Sequence, residues 1–156
     1  MQTSGIKEKG ISETEKTFPV SVRWVQKMQF VARDDRNHSI VIDTSPESGG
    51  ENLGPTPGRL LLMAVAACTA IDIVDILAKS RQKLTGLEVL SRGIQNSEYP
   101  KYYREIYLKY RLRGIELDRS RVERAIRLSE EKYCSVGATV SGKAKIFTSY
   151  EIEGRT

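Results

Sequence analysis

Cysteine and histidine are scarce in this chain of 156 residues, which holds two cysteines and one histidine. Cys68 and Cys134 are distant in the sequence and no CxxC or HExxH pattern occurs, so the ligand spacing of a zinc site is missing. A phosphate-binding glycine loop and a Gly-x-Ser-x-Gly elbow are missing too. His38 lies in a polar turn, where a histidine is more often a surface residue than a base. We therefore expect no metal and no cofactor.

The first 17 residues lack the apolar run of a secretory signal and are rich in Lys, Glu, Ser, Thr and Gly. They predict a flexible tail over residues 1–17, followed by one domain over residues 18–156. Without an export signal and with only two cysteines, the protein is expected in the cytoplasm, where thiols stay reduced.

The segment 60–77 is almost long enough and apolar enough to span a membrane. Asp72 and Asp75 lie inside it, however, and a carboxylate is costly at that depth, so no membrane partner is expected. Thr56-Pro57 supplies a capping residue and a proline for a first helical turn, which predicts a buried central helix from there to about Arg81. One sheet face cannot cover so apolar a helix, and we predict a homodimer that shares it.

Alternation of apolar and polar residues predicts β-strands on both sides of this helix. The predicted strands cover residues 18–24, 29–32, 39–43, 87–92, 104–113 and 145–153, the first of them half-buried. A capping box at residues 120–123 predicts a second helix, which breaks near residues 133–137. Because no regular βαβ alternation occurs, we expect an α+β domain with a mostly antiparallel sheet.

The net charge of +5 is concentrated in residues 101–127, which hold nine basic residues against four acidic ones. Such a stretch attracts nucleic acid when it carries a recognisable RNA-binding motif or stacked aromatic residues. Tyrosines are present among the basic residues, but no such motif is. We interpret the stretch as a solvated strand and helix face, and nucleic acid is not expected as a partner.

Cys68 is either a small core residue or a reactive thiol in an apolar setting. It lies well beyond the first helical turn, and Asp72 on the same helix face disfavours a thiolate. A reactive Cys68 therefore needs a cation from elsewhere. Arg59 lies on the opposite side of the helix, which leaves Arg33 and Arg36 of the strand turn as the better candidates.

Cys134 precedes Ser-Val-Gly at the predicted helix break, where backbone N–H groups could favour a thiolate. From the residues alone, a working cysteine pair and two structural cysteines are both open.

Two motifs around these cysteines resemble one family. Gly54-Pro-Thr-Pro-Gly58 with the following apolar helix, including Ala67-Cys68-Thr-Ala-Ile-Asp72, resembles the first cysteine helix of the OsmC/Ohr family. Glu131-Lys-Tyr-Cys134-Ser-Val resembles its second cysteine segment. The polar turn Asn37-His38 is similar to the OsmC-like branch, and the resemblance covers roughly residues 18–153.

The resemblance implies an intertwined homodimer with active sites at the subunit interface and a thiol-dependent reduction of organic hydroperoxides. By analogy, Cys68 is the peroxidatic cysteine and Cys134 the resolving one. A sulfenic acid on Cys68 would condense with Cys134, and an external dithiol would reduce the disulfide. Apolar walls would favour organic hydroperoxides over hydrogen peroxide.

One departure from the family pattern concerns the activation of the thiol. Peroxidase members resemble one another in a glutamate just after the position of Pro57, paired to an arginine, and here Gly58 and Arg59 stand in that place. Glu47 and Glu51 are candidates to replace the glutamate. The alternative function is a non-enzymatic module that binds a small apolar ligand or partner at the dimer interface, with structural cysteines.

Overall fold

The computed structural model describes residues 16–154 and separates the chain into two compact units, one ending at Thr56 and the other beginning at Pro57. The tail predicted over residues 1–17 lies outside the described residues except for its last two. The single domain predicted over residues 18–156 stays a prediction.

The first unit is an antiparallel three-stranded sheet followed by an anchored loop. Its strands are β1 (Val20–Gln26), β2 (Gln29–Asp34) and β3 (Ser39–Ile42), in that order. The loop after β3 turns around the buried Asp43, whose carboxylate accepts hydrogen bonds from the backbone N–H groups of Thr44, Glu51 and Leu53. These bonds hold the pKa of Asp43 below its usual value, although its burial acts in the opposite direction. The loop is therefore fixed in shape despite its turn-rich sequence.

The first strand is more exposed than its alternating sequence predicts. Every residue of β1 is exposed, including Val20 at 73% and Trp24 at 62%. The prediction of a half-buried strand is therefore wrong for the chain on its own. Alternation identifies the apolar face of a strand, but it does not say what covers that face.

The second unit packs its helices against a mixed three-stranded sheet. Its elements are α1 (Pro57–Lys79), β4 (Lys83–Gln95), β5 (Tyr103–Ile115), α2 (Arg119–Leu128), α3 (Ser135–Val140) and β6 (Lys145–Gly154). β5 is antiparallel to β4 but parallel to β6, because α2 and α3 form a crossover between the last two strands. The α+β class is shown, whereas this second sheet is mixed rather than antiparallel.

Helix α2 begins at Arg119, with Asp118 as its capping residue, and not at the capping box predicted over residues 120–123. Asp118 precedes α2, and its carboxylate accepts from the backbone N–H groups of Ser120 and Arg121. The capping box predicted at residues 120–123 is therefore wrong, since an aspartate further upstream performs the same function.

The core of the second unit lies between α1, α2 and the inner face of β5. Its fully or nearly fully buried residues include Val65, Ile73, Leu77, Ile106, Leu108, Tyr110, Leu112, Val122 and Ala125. The opposite face of α1 is exposed, with Ile71 at 70% and Met63 at 54%. The prediction of a buried central helix is thus right for one face only. By length and composition alone α1 could cross a membrane, as core helices of soluble proteins also could.

The basic side chains of β5 are matched by glutamates on neighbouring strands. Lys109 and Arg111 both pair with Glu151, at 2.8 and 2.7 Å, and Arg113 pairs with Glu153. The positive charge that residues 101–127 place on β5 is therefore compensated at Lys109, Arg111 and Arg113. This favours a solvated face over a nucleic-acid surface.

Candidate functional site

The two cysteines come together inside the second unit. Cys68 lies on α1 and is partly exposed, and Cys134 lies between α2 and α3 with only 3% of its surface exposed. Both are free thiols, and the Cys68 thiol interacts directly with that of Cys134. Two residues distant in the sequence thus bring their thiol groups together.

The backbone around Cys134 fixes the position of its sulfur. After α2 the chain makes a wider turn over Ser129–Tyr133, and the N–H group of Cys134 donates to the Ser129 carbonyl at 2.8 Å. The sulfur then accepts a hydrogen bond from the N–H group of Gly137 at 3.2 Å, which caps α3. The helix break predicted near residues 133–137 is confirmed. A β-carbon on Gly137 would lie 3.1 Å from the sulfur, so the close approach favours glycine there.

The surroundings of Cys134 keep its thiol protonated. Burial, the neighbouring Cys68 thiol and the Asp72 carboxylate together raise the pKa of Cys134 to about 11, although the hydrogen bond from Gly137 lowers it. The Asp72 carboxylate is held in place by the hydroxyl of the fully buried Ser129, at 2.8 Å. The N–H group predicted to favour a thiolate is thus present, but burial outweighs it.

This pKa predicts a strong pH dependence of alkylation at Cys134. Iodoacetamide reacts with the thiolate, so Cys134 is expected to stay unlabelled at neutral pH and to gain label as the pH approaches about 11. Peptide mass spectrometry after timed quenching measures this, with Cys68 as the comparison within the same sample. Rapid labelling of Cys134 in the folded protein at neutral pH would contradict the assignment.

A cavity of about 490 Å³ opens beside Cys134. Its walls are mostly apolar and include Leu108, Ala138, Ala144, Ile146 and Phe147, with Cys134, Thr69, Glu130, Ser141 and Lys145 as polar members. Although Glu130 is exposed as a whole residue, partial loss of water at its carboxyl group raises its pKa, and Glu131 acts in the same direction. Cys68 does not line this cavity.

The arginines predicted to activate Cys68 belong to the first unit. The Arg33 side chain donates from Nε to the Ser39 hydroxyl at 3.2 Å, and the backbone N–H of Arg36 donates to Asp34 at 2.9 Å. Both residues are exposed and lie in or beside the strand turn, as expected. Their action on Cys68 stays a prediction.

The remaining polar residues of the first unit have local partners. His38 is exposed and contacts Asp34 at 2.8 Å, so it is a surface residue as predicted. Glu51 pairs with Lys27 at 2.7 Å, and a hydrogen bond from the Ser45 hydroxyl lowers the pKa of Glu47. Within residues 16–154, no group of three His, Cys, Asp or Glu side chains lies close enough to hold a metal ion.

The Tyr103 hydroxyl lies beside Gly58, one of the two positions at which the family resemblance places a glutamate. A β-carbon on Gly58 would lie 2.9 Å from the Tyr103 hydroxyl oxygen. The same ring lies against Gly93, where a β-carbon would lie 2.4 Å from a ring carbon. Sequence reasoning missed Tyr103, and the only signal was a glycine in the first turn of α1 and another within β4. A side chain at position 58 would therefore require the Tyr103 hydroxyl to move.

Comparison with known proteins agrees with the two cysteine motifs. The family described as OsmC-like protein matches residues 49–149. Protein YhfA of Escherichia coli K12 is 36% identical over 131 residues, covering 84% of this chain and 95% of YhfA. A hypothetical protein from Aquifex aeolicus is similar in structure, with a TM-score of 0.80, 27% identity and coverage of 91% of this chain and 100% of that one. An organic hydroperoxide resistance protein OsmC from Legionella pneumophila shares the fold at a TM-score of 0.67 and 16% identity, covering 87% of this chain and 97% of its own. Because the family model matches about two thirds of the chain and YhfA is 36% identical over most of its length, this chain belongs to the OsmC-like family.

Proposed function

We propose that this protein reduces organic hydroperoxides through a two-cysteine cycle, as part of a defence against oxidative stress in the cytoplasm. The observation that carries the proposal is the pair of free thiols, one partly exposed on α1 and the other buried beside it. The Legionella neighbour, named for organic hydroperoxide resistance, supports the same class of activity.

The cycle assigns a different task to each sulfur. The Cys68 thiolate attacks the terminal oxygen of the hydroperoxide, the O–O bond breaks, and the organic fragment leaves as an alcohol after taking up a proton. Cys134 then attacks the sulfenic acid on Cys68, and its proton leaves with the hydroxyl group as water. A dithiol reduces the resulting disulfide. A thiol that stays protonated until this step suits the resolving role of Cys134.

The cation that steadies the Cys68 thiolate is proposed to be Arg33 or Arg36. Both are exposed side chains at the turn between β2 and β3. The alternative is a non-enzymatic member of the family that binds a ligand or partner, with both cysteines structural.

The test measures cumene hydroperoxide consumption by the full chain in the presence of dithiothreitol. Turnover is expected, and one equivalent of peroxide without dithiol should yield an internal disulfide that is lighter by two hydrogen atoms. A folded protein that neither consumes peroxide nor forms this disulfide would contradict the proposal and favour the binding module.

We also propose that the protein is a homodimer that covers the exposed face of α1. Ile71, Met63 and Val74 form an apolar patch on this face, and such patches on soluble proteins mark interaction sites. Light scattering is expected to give about twice the chain mass of 17.6 kDa. Ile71→Asp should shift the protein to the monomer, because burying an unpaired carboxylate is costly. Thr139→Asp, at an exposed polar position, is the matched control and should stay dimeric. A monomeric parent protein would refute the proposal.

A further inference from the structure

The cavity beside Cys134 gives external molecules a route to one sulfur of the pair. Resting on the proposed two-cysteine cycle, we propose that the reducing dithiol enters this cavity, attacks the sulfur of Cys134 and expels the sulfur of Cys68. The route assigns the cavity as the reductant site and Cys134 as the sulfur that first bonds to the reductant.

The first support is the position of the two sulfurs. Cys134 lines the cavity and also interacts with Cys68, whereas Cys68 is not part of the cavity wall. Of the two cysteines, only Cys134 therefore contacts the cavity. Thiol–disulfide exchange requires access to the sulfur that is attacked, and this cavity supplies such access to Cys134. Its volume of about 490 Å³ lies within the range of small-molecule sites.

The second support is the leaving group. In disulfide exchange the sulfur with the more stable thiolate leaves faster. Burial and neighbouring groups raise the pKa of Cys134, so Cys134 is a poor leaving group and a better target. Attack on Cys134 regenerates the peroxidatic sulfur of Cys68 as the anion that the next turnover needs.

The third support is the polar lining. Lys145 is an exposed residue that lines the cavity, and its positive charge attracts an incoming thiolate. The fully buried Tyr110 hydroxyl has no hydrogen-bond partner of good geometry among the described residues, and the Thr69 side chain, which lines the cavity, lies near it. Cys134 and Glu130 lie close enough to raise the pKa of Tyr110 further, in addition to the effect of burial.

The steps conserve atoms and electrons. One thiol of the dithiol loses its proton to water and attacks the sulfur of Cys134. The Cys68–Cys134 bond breaks, and its electron pair leaves with Cys68 as a thiolate. The second thiol of the reductant loses its proton and attacks the first reductant sulfur, which closes a cyclic disulfide. Cys134 leaves with the electron pair and takes up a proton. The dithiol is oxidised by two electrons and the protein disulfide is reduced by two.

The first experiment identifies the attacked sulfur in the unaltered chain. The disulfide is prepared with diamide, so that the test does not depend on peroxide chemistry. The oxidised protein is exposed briefly to 2-mercaptoethanol, quenched with acid and alkylated. Peptide mapping then locates the mixed disulfide. The adduct is expected on Cys134 with Cys68 alkylated, and an adduct on Cys68 would overturn the proposal. If the adduct is on Cys68 but the protein still turns over peroxide in the separate assay, the proposed function stands and only the route of the reductant is wrong.

The second experiment fills the cavity. Ala138 lines it and Thr139, the next residue of α3, does not. Ala138→Phe is expected to slow dithiothreitol reduction of the diamide-made disulfide about tenfold by blocking access, whereas Thr139→Phe stays within about twofold of the parent rate. Circular dichroism checks the fold of both variants. Equal reduction rates for two folded variants would refute the cavity route.

Discussion

Replacing Cys68 with serine is expected to lower the rate of cumene hydroperoxide consumption at least about 100-fold, to that of peroxide in buffer, because the covalent step loses its nucleophile. Serine is close to cysteine in size, so the packing of α1 should survive. Coupled assays with excess dithiothreitol measure the rate. A Cys68→Ser variant as active as the parent would show that the peroxidatic role lies elsewhere.

The Cys134→Ser variant separates the two roles. Its serine oxygen can still accept from the N–H group of Gly137, so the cap of α3 is expected to persist. Cys68 should then consume about one equivalent of peroxide and stop as a sulfenic acid, which further peroxide converts to the sulfinic acid. Intact mass spectrometry would detect the added oxygen atoms. Sustained turnover by this variant would contradict the resolving role of Cys134, since the dithiol would then reduce the sulfenic acid directly.

Local signals in the sequence predicted the helices better than the sheets. Pro57 predicts the start of α1, and the residues around Cys134 predict the end of the helix that precedes it. Both features are predictable because they depend on residues that are close in the sequence. The parallel pairing of β6 with β5 was not predictable, because alternation carries no information on strand direction or partner. The same limit explains the unexpected exposure of β1.

The sequence predicted the two cysteines of the site but not the cavity and the packing around them. Both cysteines stood out because they were the only ones and occurred in two family motifs. The cavity beside Cys134 could not be foreseen, since its small wall residues Ala138 and Ala144 come from different segments and leave space only when packed. The position of the Tyr103 side chain could not be predicted for a similar reason, because the two glycines that make room for it lie far apart in the sequence.

The packing of Tyr103 on Gly93 predicts a stability change that reverses sign between two backgrounds. A β-carbon on Gly93 would lie 2.4 and 2.5 Å from ring carbons of Tyr103 and 3.0 Å from a methyl group of Leu62. Gly93→Ala is therefore expected to lower the free energy of unfolding by about 1–3 kcal/mol, as overpacking does. In a Tyr103→Ala background the ring is gone, and the Leu62 methyl group, at the end of a flexible side chain, can move into the freed space. The same substitution should then stabilise the strand by roughly 0.5–1 kcal/mol, because alanine loses less entropy than glycine.

Urea denaturation of the four proteins of this double-mutant cycle measures the coupling between the two residues. Gly86→Ala is the matched control within β4, since its β-carbon would lie 3.7 Å from the Arg113 side chain, an ordinary contact. Gly86→Ala should change the free energy of unfolding by the same amount with and without the Tyr103 ring. An equal cost of Gly93→Ala with and without the Tyr103 ring would mean that the ring does not set the requirement for glycine. A reversed sign would show that the ring is held firmly against β4, in the position that also places its hydroxyl oxygen 2.9 Å from where a β-carbon on Gly58 would lie.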